Sequence, residues 1–473
     1  MFDQSLSAEN FMTIFHEENR KGNIAFDSMP DAYRVIVGEI KGLQDRANII
    51  IRKKKKDRTV DEVQELEDIR LLIKEKQKDR EQELFDEMYS YSEKVNMNSF
   101  SFPITSYVKD GKQIFTISNT SWEYFYALKN LQRTIRGLFG VKQDSRHNIM
   151  SNMRLLLNTS RPFYLIRTDV ENFFESIRQD LLFDRIHSNN LINNKTKGLI
   201  KAIIDEFNNK KDPSKFAQGC GVPRGIGISS YLSEIYMREI DQNIRSREEV
   251  VFYARYVDDI VIVLAGLPNN LNLSKYYRDL TEYFLKFGLK LKKASDPDKS
   301  KLIDYYGHAS NESFKYLGYK VSLSKPKSKS IEAKFSMSDV KVSRIKGRID
   351  AAFKRFENIS AISLKQAEKD LIDSLNLISG NYRLNKSKAT VKAGLFFGSD
   401  LLTDFSDLAD LTNYLHQKQL NVYPEVLKGS QARDKYIDKV KRKIREIDFT
   451  KRWTDKVMFK FSSQRLNEIS SWL

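Results

Sequence analysis

The run YARYVDDIVIV, Tyr253 to Val263, sets two adjacent aspartates inside an otherwise apolar and aromatic stretch. A charge in such a setting is retained only by an opposite charge or a metal ion, so this run restricts the fold more than any other. Two readings are open. One is a plain hairpin turn, where Asp is a common residue. The other is a metal-binding turn between two buried strands. The tetrad YVDD is a weak motif by itself, and its meaning depends on what the rest of the chain brings to it.

A second carboxylate stands upstream in FYLIRTDVENFFESI, Phe163 to Ile177. Here an apolar strand ends in Asp169, and Phe173 and Phe174 follow. If the two segments are neighbours in one sheet, Asp169, Asp258 and Asp259 converge. Three such carboxylates repel one another unless cations sit among them. Mg²⁺ takes oxygen ligands of this kind together with substrate phosphates. Two ions about 4 Å apart activate an attacking hydroxyl and stabilise a leaving pyrophosphate, which points to nucleotidyl transfer. The net charge of +17, from 80 Lys and Arg against 63 Asp and Glu, favours a polyanionic partner through counterion release. A solubilising surface would give the same number.

The remaining composition limits the alternatives. The single cysteine, Cys220, excludes an intrachain disulfide, and there is no CxxC zinc pattern. No run approaches 18 apolar residues, so no membrane partner is expected. MFDQSLSAENFMTIF lacks a basic region followed by an apolar core, so a cytoplasmic setting is expected. With 473 residues, two or three lobes are expected. Residues 1–95 read as helical, with Val60, Val63, Leu66, Ile69 and Ile73 on one stripe and the basic block IRKKKKDR (Ile51 to Arg58) before it. Residues 96–325 alternate strand-like runs with helices. LPNNLNLSK (267–275) and ASDPDKSK (294–301) read as loops. Residues 326–473 return to helices, with Val342, Ile345, Ile349, Phe353 and Phe356 as an apolar stripe.

Between the acidic segments lies AQGCGVPRGIGISSYLSEIYMREID, Ala217 to Asp241. Gly219, Gly221, Gly225 and Gly227 let backbone approach a ligand closely. A helix is expected from Ser229, with Leu232, Ile235, Tyr236 and Ile240 as its core face and Ser229 or Ser230 as its cap. A glycine loop capping a core helix is an equal reading of this segment alone. Taken in order, the segments resemble reverse transcriptase motifs. Asp169 with Phe173 and Phe174 resembles motif A, GVPRGIGISSYLSEIYM motif B and YVDD motif C. FGLKLKKASDPDKSKLI (287–303) is similar to motif D, and FKYLGYKV (Phe314 to Val321) to the primer grip. SYVKDGKQIFTI is similar to the fingers hairpin, and DSRHNIM (Asp144 to Met150) to the helix after it.

The resemblance implies an α+β, right-hand polymerase fingers and palm, with a helical N-terminal region and a helical C-terminal thumb and extension. It implies an RNA-directed DNA polymerase using two Mg²⁺ ions, with Mn²⁺ able to substitute. Asp169, Val170, Asp258 and Asp259 would form the metal site, with Asp259 the third carboxylate, supporting rather than bridging. Phe174, five residues after Asp169, would exclude a 2′-hydroxyl, while alternation in an extended chain would turn Phe173 into the core. Arg224, Gly225, Lys109, Lys112 and Lys299 would contact the nucleotide, with Lys301 a competitor of Lys299 for the proton donor. Arg146, Tyr256, Leu317 and Gly318 would contact nucleic acid.

Two departures stand out. Pro223-Arg224-Gly225 replaces the usual Pro-Gln-Gly, and Gln113 and Phe115 occupy the region of the usual fingers arginine. With ISSYLSEIYM, the Pro-Arg-Gly version is more similar to the defence-associated bacterial branch, of the unknown-group and abortive-infection kind. Leu377 to Leu415 resembles the helical extension of that branch. This implies antiphage defence and, as partners, an RNA template or noncoding RNA, dNTPs and a DNA product. A protein partner or self-association stays open. So do untemplated or protein-primed synthesis, a non-catalytic RNA-binding scaffold and an RNA-dependent RNA polymerase. The intact carboxylates count against the scaffold, and Phe174 with Val257 in place of the usual glycine counts against the RNA polymerase.

Overall fold

The computed structural model describes residues 3–118, 120–141, 144–158, 163–265, 272–296, 299–305, 312–324, 332–386, 389–420 and 431–473. The loops expected at 267–275 and 294–301 lie partly outside them. The described residues form an α+β protein of two compact units. The first comprises Met1–Lys142, Asn172–Arg238 and Ser387–Ala389, the second Gln143–Glu171, Glu239–Lys386 and Thr390–Leu473.

In chain order the elements begin with α1 (Ala8–Arg20), α2 (Asp31–Ile51) and α3 (Val60–Asn96), then β1 (Ile104–Lys109), β2 (Lys112–Ile117) and α4 (Trp122–Phe139). Next come α5 (Arg146–Leu157), β3 (Tyr164–Asp169), α6 (Phe173–Ser176), α7 (Gln179–His187), α8 (Asn194–Lys210) and α9 (Ser229–Arg245). Then follow β4 (Val250–Tyr256), β5 (Asp259–Leu264), α10 (Leu273–Leu285), β6 (Lys301–Asp304), β7 (Glu312–Tyr316), β8 (Tyr319–Ser324) and β9 (Glu332–Met337). The chain ends in α11 (Asp339–Ser360), α12 (Leu364–Ser379), β10 (Asn381–Lys386), β11 (Ala389–Gly394), α13 (Ser406–Leu420), α14 (Gln431–Arg445), α15 (Phe449–Thr454), β12 (Met458–Phe459) and α16 (Ser463–Trp472).

In the first unit, α3 opens on a capping box between Thr59 and Glu62. Its stripe is buried only in part. Leu66 and Ile69 meet Ala47 and Ile50 of α2, whereas Val60 and Val63 are exposed because α2 does not cover them. The basic block is a short turn after α2. Arg58 donates to the carbonyls of Ile51 and Lys53, and Lys53 pairs with Glu62. The β1–β2 hairpin closes through Asp110 and Gly111, both with positive φ. Helix α9 starts at Ser229, so Ser229 and Ser230 lie in its first turn rather than at the expected cap position. Their hydroxyls donate to the carbonyls of Pro223 and Gly227.

The second unit is built on a sheet of order β4-β5-β3-β6, with every neighbour antiparallel. All six residues of β3 are buried, because it is central in the sheet. A second sheet, β7-β8-β9, continues the same core with α5, α11, α12 and α13. Helix α11 buries Ile345, Ile349, Phe353 and Phe356 as its periodicity demands. The region expected to be purely helical contains β10, β11 and β12 as a third sheet. Helix α12 stops at Gly380, which turns extended, and any side chain there would collide with the Phe459 ring.

Candidate active site

Asp169 ends β3 and lies directly across from Asp259, the first residue of β5. Asp258 precedes it in the two-residue turn from β4, and the carbonyl of Asp258 accepts from the Val170 N–H at 3.1 Å. Antiparallel pairing of β3 with the Ile- and Val-rich β5 thus brings together carboxylates distant in sequence. Two cations stand among them. Arg167, buried on β3, donates from Nη2 to Asp259 Oδ1 at 2.6 Å, and Lys299 Nζ lies 3.4 Å from Asp169 Oδ2. Burial, and then the neighbouring Asp258, push the Asp169 carboxyl above the usual carboxylate range, while Lys299 opposes them. Asp259 is raised by burial, against the pull of Arg167.

The donor set is all oxygen and suits a hard divalent ion. A buried carboxylate raised by a second carboxylate is the electrostatic situation that such an ion relieves. Among the described residues no group of three or more His, Cys, Asp or Glu side chains stands close enough to hold a metal ion. Asp259 is engaged by Arg167, which leaves Asp169 and Asp258 with the backbone of Val170 as the candidate ligands.

The support under these groups comes mostly from residues of the same segments to which the sequence reading gave no role. Arg255 on β4 forms a buried ion pair with Asp241, at 2.8 and 3.0 Å, and donates from Nη1 to the Val257 carbonyl at 2.9 Å. Tyr253 donates to the same Asp241 at 2.6 Å. Beneath Asp169, the Thr168 hydroxyl bonds to Tyr277 Oη at 2.7 Å and Ser300 Oγ at 2.9 Å, tying the strand to the segment that carries Lys299. Each of the strands FYLIRTD and VFYARYVDD carries an arginine within an apolar run, and that is the signal from which this support could be found.

Other candidates in this unit are placed as follows. Lys301 pairs with Glu312 at 2.9 Å, not with an aspartate of the site. The guanidinium of Arg146 lies 4.7 Å from the Tyr256 ring centroid. Leu317 and Gly318 form the β7–β8 turn, both with positive φ, and the Gly318 carbonyl accepts from Ser338 N–H.

In the first unit, Phe174 stands on the single turn α6. This segment is helical rather than extended, so alternation does not apply, yet Phe173 is buried and Phe174 half-buried. The Arg224 guanidinium lies 4.8 Å from the Phe174 ring centroid and grips Glu175 through two hydrogen bonds of 3.0 and 3.1 Å. The loop is fastened beside them: Val222 N–H donates to the Phe174 carbonyl, and Phe115 N–H to the Arg224 carbonyl at 2.7 Å. Gly225 has φ +107, and a Cβ there would lie 2.5 Å from the Phe115 carbonyl oxygen. Lys109 and Lys112 pair across the hairpin end and are exposed. Gln113 binds Asp212 N–H and the Lys210 carbonyl, and Phe115 is buried against Phe207, so neither substitutes for the fingers arginine.

Residues 109–321 match the family described as reverse transcriptase (RNA-dependent DNA polymerase). Among curated proteins, the Retron Ec83 reverse transcriptase of Escherichia coli is 28% identical over 116 residues, 24% of this chain and 35% of that protein. The chain thus covers about a third of the length of that relative. Similar solved structures include telomerase from Candida albicans in complex with a TWJ fragment of telomeric RNA. It has 12% identity, covers 76% of this chain and 68% of that one, and gives a TM-score of 0.34. Apo telomerase from Candida tropicalis has 13% identity, covers 79% of this chain and 65% of that one, and gives a TM-score of 0.37. Both likenesses are distant. Asp169, Phe174, Arg224, Asp258 and Leu317 all fall within the residues, 109–321, that are similar to the reverse transcriptase family.

Proposed function

We propose that the chain is an RNA-directed DNA polymerase that adds dNTPs to a primer by two-metal nucleotidyl transfer. One observation carries the reading: Asp169 ends a central strand of the sheet beside Asp258 and Asp259, within the residues similar to the reverse transcriptase family. Asp169, Asp258 and the Val170 carbonyl would hold two Mg²⁺ ions, or Mn²⁺ in their place. Bound there, the ions would lower the pKa of an attacking hydroxyl and offset charge on the pyrophosphate.

The protein's own groups do the rest. Arg167 holds Asp259 as a support for the turn. Lys299 Nζ, already beside Asp169, donates a proton to the leaving pyrophosphate. Phe174 closes the sugar position to a 2′-hydroxyl, and Arg224 and Gly225 line the nucleotide. Lys109 and Lys112 contact phosphates, Arg146 and Tyr256 the template, and Leu317 and Gly318 the primer. In this reading residues 1–95 are an N-terminal helical region, 96–325 fingers and palm, and 326–473 thumb and extension. The partners are an RNA template or noncoding RNA, and the Pro223-Arg224-Gly225 resemblance supports a role in antiphage defence. No helix among the described residues is long and apolar enough to cross a membrane, in keeping with the cytoplasmic setting we infer.

The test is dNTP incorporation on an RNA template by the wild type and the Asp169→Asn/Asp258→Asn variant. Equal incorporation by both would refute the assignment. Sequencing the nucleic acid that copurifies, and any DNA attached covalently, separates templated from untemplated or protein-primed synthesis.

A further inference from the structure

The Glu175–Arg224 pair is not explained by the groups assigned so far. Arg224 is tethered on three sides. Its backbone carbonyl is fixed by Phe115 N–H, its Nε and Nη2 are fixed by the two oxygens of Glu175, and its guanidinium carbon sits over the Phe174 ring, 4.8 Å from the centroid. Nη1 has no hydrogen-bond partner among the described residues. Both side chains are largely covered, with 21% of Arg224 and 13% of Glu175 exposed. A two-point arginine–carboxylate pair in such a setting fixes orientation as well as charge. Phe174 is also fixed at its backbone, since its carbonyl accepts from Val222 N–H. Its ring therefore has a rigid guanidinium on one face and a buried neighbour, Phe173, at 5.4 Å.

We infer that Glu175 is a positioning residue for sugar selection: by clamping Arg224 over Phe174, it holds the ring where it meets the 2′ position of the incoming nucleotide. The inference rests on the reading of Phe174 as the sugar gate and adds the reason the gate is stiff. A phenyl ring on a one-turn helix such as α6 is free to swing about its side-chain bonds. Stacking under a tethered guanidinium removes that freedom. It also gives a physical role to arginine in place of the usual glutamine. A glutamine has no delocalised cation to stack on the ring and no fork to match a carboxylate. Glu175 and Arg224 thus act as one unit, and the free Nη1 edge is left to meet the nucleotide.

The experiment measures kcat and KM for a dNTP and the matching rNTP in four full-length proteins: wild type, Glu175→Gln, Phe174→Val and the exchanged Glu175→Arg/Arg224→Glu. Thermal unfolding is recorded for each. Glu175→Gln keeps the shape but weakens the tether, and it should lower dNTP-over-rNTP selectivity by about tenfold, mainly through a lower KM for the ribonucleotide. The exchanged pair restores the ion pair but puts a carboxylate where the guanidinium stacks, so it should fold yet remain unselective. A purely structural pair predicts the opposite, with selectivity recovering along with stability, and that result overturns the inference. It is also overturned if Phe174→Val relaxes selectivity while Glu175→Gln leaves it at the wild-type value. If Phe174→Val leaves selectivity unchanged, the gate reading itself fails and takes the inference with it.

Discussion

Two hairpins of this protein are closed by two-residue turns with opposite chemistry. The β1–β2 turn uses Asp110 and Gly111, at φ 51° and 73°, residue types that enter the left-handed region at little cost. The β4–β5 turn puts Val257 at φ 60°, where a β-branched side chain costs about 1–3 kcal/mol. From outside, the first turn receives a long bond of 3.4 Å from exposed Lys215 Nζ to the Gly111 carbonyl. The second is held by Arg255, which donates to the Val257 carbonyl and is itself fixed by Asp241, a carboxylate that also accepts from Tyr253, and by the Val170 N–H on Asp258. Local sequence thus determines the relaxed turn, and the surrounding structure determines the strained one. The strained turn is the one that carries the carboxylates.

The comparison is broken most directly by charge removal. Asp258→Asn or Asp169→Asn should reduce dNTP incorporation by at least about a thousandfold, since on the proposed reading several kcal/mol of transition-state stabilisation depend on those two carboxylates. Asp110→Asn in the relaxed turn should stay within about twofold of wild type, as expected for a surface change. Incorporation assays with Mg²⁺ and with Mn²⁺ decide this, and a large loss at Asp110 would remove the contrast. Next comes the support. Asp241→Asn takes the carboxylate from a buried arginine and should cost about 3–5 kcal/mol in urea unfolding. A cost under about 1 kcal/mol would mean that the pair does not hold the turn.

Relieving the strain gives a smaller effect of the opposite sign. Val257→Gly should stabilise the protein by about 1 kcal/mol because glycine accepts positive φ, while incorporation falls as Asp258 loses its fixed position. Gly111→Ala, at the corresponding relaxed turn, should destabilise by a similar amount. A Val257→Gly variant less stable than wild type would show that the strain is not real.

Metal linkage is smaller again. Asp169 and Asp259 have raised pKa values, so their ionisation opposes folding, and the stability they contribute falls as pH climbs through those raised values. A bound divalent ion offsets that repulsion. Mg²⁺ should therefore raise Tm more at about pH 7.5 than at about pH 4.5, and the difference should vanish in Asp169→Asn/Asp258→Asn. The smallest effect belongs to the relaxed hairpin. Replacing Lys109 and Lys112 with Gln should lower the salt slope of RNA binding by about one to two, one for each phosphate that is no longer neutralised. An unchanged slope would leave those lysines as solvated surface.

Much of the fold and of the placement of the acids is legible because β-periodicity and apolar runs are local signals. Asp169, Asp258 and Asp259 stand out as charges set in or beside apolar strand-like runs. Arg167 and Arg255 sit in the same strands, yet their roles are not legible there because their partners are distant: Arg167 meets Asp259 across 92 positions. Alternation sorts Phe173 from Phe174 only in an extended chain, and the chain there turns helical after Asn172, which itself has φ 44°. Val60 and Val63 have the right spacing for a core stripe yet are exposed. Strands β10 to β12 are hidden in a polar, lysine-rich stretch, where β-propensity is weak and tertiary pairing decides.

The position of β3 in its sheet bears on how the protein is made. Its six residues, Tyr164 to Asp169, are buried, and both partner strands come later in the chain: β5 ends at Leu264 and β6 at Asp304. At ribosomal speeds of about 5–20 residues per second, β3 leaves the tunnel roughly five to twenty seconds before β5 can join it. During that interval an apolar strand is bare on both edges, a template for pairing with other nascent chains. Translation pauses or truncations between residues 170 and 258 prolong this interval. Slower synthesis through that stretch should therefore favour aggregation, and a holdase chaperone bound there should raise the soluble yield.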